Sequence, residues 1–292
     1  MEKIKNIFNR ITHEKKVLML CIAGILASMI IVMLIVLKLF SRSYDVVTLA
    51  GEAAENDFSD FNVTGTVYDV ENIVTSNGFK YYYEDGKLKS RVGIDVSYAQ
   101  KEIDWNKVSN AGVEFAIIRM GYRGYESGIL HTDEYFHKNM SGAASAHIET
   151  GVYFFSQAVT VEEAEEEAKY VLNNIGSYDI TYPVVFDWEP ITDNPARTDN
   201  ISGDVLNECA LAFCNTIKQS GYKPAIYASL NLLRKQYNKY DIKKISEFDL
   251  WLAEYKDYPE YPYSFKIWQY SNTAMIDGIK YATDVNVYFD TE

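Results

Sequence analysis

The chain has 292 residues, 48% of them hydrophobic and 24% charged, with a net charge of −13. That length allows one barrel-sized domain with additions, and that composition permits a packed core and excludes wholesale disorder. Residues 1–43 carry 7 of the basic and 2 of the acidic side chains, leaving 21 basic against 39 acidic over 44–292, a balance that argues against nucleic acid as a partner.

The first element is Val17 to Leu37, 21 residues without a charge. At about 1.5 Å per residue a helix of that length spans roughly 30 Å, the hydrocarbon thickness of a bilayer. No small-x-small cleavage site follows; the next residues are Lys38-Leu39-Phe40-Ser41-Arg42. The run therefore reads as an uncleaved transmembrane helix over 17–40. Lys3, Lys5, Arg10, Lys15 and Lys16 precede it, against Glu2 and Glu14. By the positive-inside rule, 1–16 form a cytoplasmic tail and the rest of the chain lies outside the cell, held at the cell membrane by a single pass.

Residues 41–90 read as an extracellular stalk, polar and aperiodic to about 78. Its last part, FKYYYEDGKLKSR, places Asp85-Gly86 between two strand-like runs, a hairpin signal. Tyr-rich hairpins of this kind occur in wall-binding repeats; a single copy reads better as a structural cap on the following domain.

From Val92 onward short apolar runs alternate with helical patterns. Strands are expected at 92–97, 115–122, 150–156, 182–189, 223–229, 249–255, 265–271 and 284–289, with the clearest helices at 161–175 and 204–221. The second helix ends in a glycine, Gly221, a common stop. Eight strands with interleaved helices predict an α/β fold, a TIM-like (β/α) barrel over 91–292. The stretches after Tyr255 and Ser271 lack a clear helix, so the barrel is expected to be irregular. Cys21 lies in the apolar run, and Cys209 and Cys214, five apart on a helix, point to different faces. The four histidines (His13, His131, His137, His147) are scattered, so no disulfide, metal site or cofactor is expected.

The C-terminal ends of parallel barrel strands form the active-site face. Asp95 ends the first strand, Tyr153 and Phe155 the third, and Asp187 and Glu189 the fourth. Tyr227 comes from the fifth, Trp251 and Glu254 from the sixth, and Trp268 and Gln269 from the seventh; Asp284 and Asn286 stand at the start of the eighth. Strand alternation puts Asp187 and Glu189 on one face, with Cα atoms roughly 6.5–7 Å apart, and Trp188 on the other. Singly, each of these residues has a plainer reading, as a helix cap, a wet strand end or a core aromatic. Together they form an acidic and aromatic set suited to glycosidic cleavage. That reaction needs one carboxyl protonated near neutral pH and a second carboxylate facing the developing cation.

The ordered series GIDVS, AIIRMGY, GVYFFS, PVVFDWE, AIYAS, LWLAEY, IWQYS and DVNVYF resembles glycoside hydrolase family 25, from about Val92 to Phe289. The resemblance implies a lysozyme, or N-acetylmuramidase, cutting the β-1,4 bond from N-acetylmuramic acid to N-acetylglucosamine in peptidoglycan. It implies Glu189 as general acid/base, with Asp187 as nucleophile or as stabiliser of the substrate's acetamido group. Asp95 and the pair Asp284 and Asn286 match the family's other acidic elements. The expected partners are peptidoglycan glycan strands and the membrane, with cell-wall machinery proteins a further possibility.

Two rivals remain at this level. FDWEP resembles the acidic strand of family 18 chitinases, but Tyr182 and Val185 stand where that pattern has aspartates. The other is a membrane-tethered, catalytically inactive wall-binding scaffold. A pure binder has no need of paired carboxylates held close at an energetic cost.

Overall fold

The computed structural model describes residues 68–237 and 239–291. The expected cytoplasmic tail, transmembrane helix and first part of the stalk lie outside those residues. No helix among the described residues is long and apolar enough to cross a membrane.

Twelve strands are described: β1 (Ile73–Ser76), β2 (Phe79–Glu84), β3 (Lys87–Leu88), β4 (Ser90–Val96), β5 (Phe115–Arg123), β6 (Leu130–Thr132), β7 (Glu149–Ser156), β8 (Val184–Trp188), β9 (Pro224–Ser229), β10 (Asp249–Ala253), β11 (Ile267–Ala274) and β12 (Thr283–Phe289). The helices are α1 (Trp105–Asn110), α2 (Phe136–Ser145), α3 (Val161–Ile175), α4 (Gly203–Gln219), α5 (Leu230–Leu233) and α6 (Ile242–Ile245). Strands β4, β5, β7, β8, β9, β10 and β11 run parallel in that order, β12 pairs antiparallel with β11 and β4, and the β4–β5 pairing completes the circle. The result is the expected eight-stranded barrel, with β6 added outside as an antiparallel partner of β5.

All eight expected strands are present, displaced by at most three residues at an end. Two long helices form where the apolar period demands them. In α3 the buried positions Ala164, Glu167, Ala168, Val171 and Ile175 make one stripe, and the Thr160 side chain caps the first turn by accepting from Glu163 N. Ser202 caps α4 in the same way by accepting from Val205 N, and Gly221, at φ +87°, turns the chain out after it. Cys209 and Cys214 are both free and buried; the sulfur of Cys214 approaches Ala225 O on β9.

The barrel is irregular where the helices run out. A loop without a helix joins β10 to β11, and β11 returns directly into β12. The reversal of β12 matters for function. The start of an antiparallel strand lies at the same end of the barrel as the finish of the parallel ones, so Asp284 sits opposite Asp95 in the ladder.

The Tyr-rich segment is a three-stranded sheet, order β1-β2-β3. Asp85 and Gly86 turn β2 into β3 with φ of 50° and 72°, the left-handed pair that a two-residue hairpin needs. A second turn of the same kind, Asn77-Gly78, joins β1 to β2; β1 thus lies within the stretch read from the sequence as aperiodic stalk. The sheet packs on the barrel as a cap. Tyr68 stacks on Phe289 at 3.7 Å and donates to Phe265 O at 2.8 Å. Lys80, almost fully buried, donates from Nζ to Asp257 O at 2.7 Å and lies over the Trp268 and Tyr270 rings.

Candidate active site

Side chains on the barrel strands alternate between two layers. Phe115, Ile117, Val185, Ala225, Tyr227, Trp251, Ala253 and Ile267 pack together inside, whereas Phe186, Trp188, Leu252 and Trp268 belong to the layer between strands and helices. Gly93 leaves the interior room that the Phe115 ring occupies, and a Cβ added there would collide with it. Above this apolar floor, at the C-terminal ends of the parallel strands, the inward positions become polar.

Asp95 is the most firmly held. Its Oδ2 accepts from Gln269 Nε2 at 2.8 Å and from Asn286 Nδ2 at 2.9 Å. Each amide is held in turn: Trp251 Nε1 donates to Asn286 Oδ1 at 2.8 Å, while the Tyr227 and Tyr255 hydroxyls donate to Gln269 Oε1 at 3.0 and 2.9 Å. The amides therefore present their N–H groups to Asp95 and stabilise its charged form.

Asp187 sits between Phe155 on β7 and Tyr227 on β9, is buried, and leaves Oδ1 without a hydrogen-bond partner among the described residues. Glu189, just past the end of β8, is half-buried. Its backbone carbonyl accepts from Gln157 Nε2 at 3.0 Å, and Gln157 Oε1 accepts from Thr198 Oγ1 at 2.6 Å, so the buried Gln157 fixes where the chain leaves the strand.

Burial pushes all four carboxyls upward. For Asp95 it outweighs the two amide hydrogen bonds, and the Asp284 charge adds to it. For Asp187 burial is followed by the charges of Glu189 and Asp95, with Arg119 opposing. Glu189 is raised by burial and by Asp284, and Asp284 is raised by burial to about 6. Like charges this close titrate as a set, so the cluster retains protons at pH values where isolated carboxylates have lost theirs. Burial also raises the Tyr153 and Tyr227 phenols well above their ordinary range, which keeps them as neutral donors.

The predicted site residues divide into three groups. Asp95, Asp187, Glu189, Asp284, Asn286 and Tyr227 come together at the mouth through the bonds and mutual charges above. Tyr153 and Phe155, half-buried on β7, line the same mouth, whereas Trp251 is 2% exposed and forms part of its floor, edge-on to Tyr153 and Tyr227. Trp268 is not at the mouth. It is fully buried in the outer layer, donates to Glu254 O at 2.8 Å and packs under Lys80 of the cap. Its neighbour Gln269 occupies the inward position instead, because adjacent residues on a strand face opposite sides. Glu254, also off the mouth, accepts from Glu260 N.

Sequence reasoning passed over Arg119, Asp133, Gln157 and Tyr255. Arg119 carried a signal: a cation within the apolar run FAIIRMGY, at the same parity as Phe115 and Ile117. Its Nε and Nη2 both donate to Oδ2 of the buried Asp133, at 2.8 and 2.7 Å. Among the described residues no group of three or more His, Cys, Asp or Glu side chains is arranged to hold a metal ion.

Comparison with known proteins places this geometry. The family described as "Glycosyl hydrolases family 25" matches residues 94–279. The autolytic lysozyme of Clostridium acetobutylicum is 24% identical over 197 residues, covering 67% of this chain and 55% of that protein. Among solved structures, the modular autolysin LytC from Streptococcus pneumoniae superposes with a TM-score of 0.60 at 25% identity, over 75% of this chain and 52% of that one. LytC has also been solved in complex with a synthetic peptidoglycan ligand. A family 25 glycosyl hydrolase from Bacillus anthracis shares the fold, with a TM-score of 0.58 at 22% identity over 75% of this chain and 96% of that one. This chain spans about half the length of the first two relatives. Because the family match runs from the first barrel strand to the loop before the last, the chain belongs to family 25 of the glycosyl hydrolases.

Proposed function

We propose that this protein is a lysozyme, an N-acetylmuramidase that cleaves the β-1,4 bond from N-acetylmuramic acid to N-acetylglucosamine in peptidoglycan. The observation that carries this reading is the set of four carboxyls at the barrel mouth, all pushed upward by burial. Glu189 is the general acid/base. It is more open than Asp187, and a glycan laid over the mouth would remove the water it retains, raising its proton affinity further.

Glu189 protonates the glycosidic oxygen as the C1–O bond breaks. The electron pair that replaces this bond at C1 comes either from the Asp187 carboxylate, as nucleophile, or from the substrate's own acetamido oxygen, steadied by Asp187. Water then adds at C1, losing its proton to Glu189, with net retention. Asp95, held by its two amides, and Asp284 tune the charge around this pair. Residues 17–40 would anchor the enzyme in the cell membrane with the barrel outside, acting on the adjacent wall; glycan strands and wall machinery are then its partners.

The test is digestion of purified peptidoglycan by the full chain in mild detergent, with borohydride reduction and mass spectrometry of the products. Fragments ending in reduced muramic acid, lost in a folded Glu189→Gln variant, are expected. Binding of wall material without cleavage would favour the tethered scaffold, and cleavage undiminished in Glu189→Gln would refute the assignment of the acid. A shorter fragment must begin before Tyr68, which bonds to Phe265 O, so that the cap and β1 stay whole.

A further inference from the structure

Beside the acid cluster lies a cavity of about 480 Å³ that carries cations as well as acids, lined by Tyr98, Lys101, Arg119, Tyr122, Asp133 and Glu134 among others, with Phe155 at its edge. It adjoins the reacting pair: Phe155 is the ladder partner of Asp187, and the Arg119 charge is felt by Asp187 and Tyr153. Arg123 also lines it but is already saturated, with Nε on Glu167, Nη1 on Gly128 O and Nη2 on Glu163 O and Glu166.

Arg119 is not saturated. Two of its nitrogens converge on one oxygen of Asp133, and Nη1 bonds to no described residue. Asp133 also accepts from the backbone N–H groups of Tyr98 and Tyr135, so it is committed to holding this corner in place. The Arg119 guanidinium lies 4.8 Å from the Tyr98 ring centroid and 5.3 Å from that of Tyr122. Lys101 Nζ lies 4.7 Å from the same Tyr98 ring, countered by Glu134, which is largely exposed and 3.6 Å away. Lys101 has a φ of 56° and a ψ of −131°, a backbone region that favours glycine. A lysine held there, at a cost, points to a use for its side chain.

We propose that this cavity is a carboxylate-reading subsite for the anionic substituent of the glycan: the lactyl carboxylate of the muramoyl unit, or a carboxylate of the peptide joined to it. This rests on the muramidase reading. The acid cluster repels anions, so a substrate that places a neutral sugar ring over the acids and a carboxylate toward Arg119 and Lys101 fits both halves of the mouth. Arg119 offers the free guanidinium edge, Lys101 a mobile point charge, and Tyr98 the face on which both rest. The acetamido groups are common to both sugars of the polymer, whereas the carboxylate marks the muramoyl unit.

The test compares three preparations of the same glycan strands with the full chain in mild detergent. One carries stem peptides, one is stripped of them to leave the lactyl carboxylate free, and one is stripped and then converted to the neutral methylamide. Neutralised strands are expected to show a KM about tenfold above stripped strands, with kcat changed less than twofold. Lys101→Gln, at a half-exposed side chain, should abolish most of that difference, and Arg119→Lys, which keeps the charge but loses the fork, should reduce it. Peptide-bearing strands that keep the low KM identify the peptide carboxylate as the group read; if they behave like neutralised strands, the lactyl group is read. Equal KM values for all three preparations, or a preference unchanged in both variants, would overturn the subsite while leaving the muramidase reading intact. Cleavage of no strand by folded protein would remove that reading and the subsite with it.

Discussion

Replacing Asp284 by Asn should make this protein more stable at neutral pH while reducing its activity. Burial raises the Asp284 carboxyl from its ordinary 3.8 to about 6. At about 1.4 kcal/mol per pH unit, keeping it ionised in the fold costs at most about 3 kcal/mol, and about 2 kcal/mol once the water still reaching this half-buried side chain is allowed for. The sign follows from proton binding. Between about pH 4 and 6 the folded state holds a proton that the unfolded state has released, so wild-type stability falls as pH rises through that window. Below pH 4 both states are protonated and the penalty is absent. The amide of the Asp284→Asn variant carries no charge at any pH, and its neutrality also relieves Asp95 and Glu189, both of which are pushed up by Asp284. Thermal unfolding followed by circular dichroism at half-unit steps from pH 4 to 7 should show Asp284→Asn close to wild type at pH 4. At pH 7 its Tm should lie about 4–8 °C higher, on the usual scale of about 2–4 °C per kcal/mol for a domain of this size. A Tm difference that is independent of pH, or that shrinks as pH rises, would refute the reasoning.

Asn286→Ala removes a donor from Asp95 and orphans the buried Trp251 Nε1, so a loss of about 2–4 kcal/mol in urea unfolding and at least a tenfold fall in kcat are expected. Retention of both within error would show that the amide network does not hold the acid. Gly93→Ala drives a methyl group into the Phe115 ring and should cost about 1–3 kcal/mol. Pairing it with Phe115→Leu should recover part of that loss; additive losses in the double variant would mean the two positions do not share the space.

Much of the scaffold was legible in the order of residues. The apolar runs ending in acids, the 3.6-residue stripe of α3, and Asp85-Gly86 each carry a local physical signal, and each appears in the fold as expected. The pair Asp187 and Glu189 was also legible, because strand alternation alone puts both on one face and Trp188 on the other, where it is now buried in the outer layer. The turn Asn77-Gly78 carried the same signal as Asp85-Gly86, but the polar sequence around it, TSNG, masked β1.

What the order of residues left open was register and direction, which are properties of pairs of strands. Trp268 and Gln269 are adjacent, and nothing within IWQYS says which of them faces inward; pairing with β10 and β12 puts Gln269 on Asp95 and Trp268 beneath the cap. Asp284 begins its strand, so a regular parallel barrel would have placed it at the far end from the other acids. The antiparallel return of β12 brings it level with Asp95. The strength of the cluster is likewise collective. Each carboxyl alone is an ordinary acid, and only the closed barrel, by removing water from four of them at once, raises their proton affinity together. Local chemistry thus chose the residues and the elements that carry them, while closure of the barrel chose which side chains meet and how far their acidity shifts.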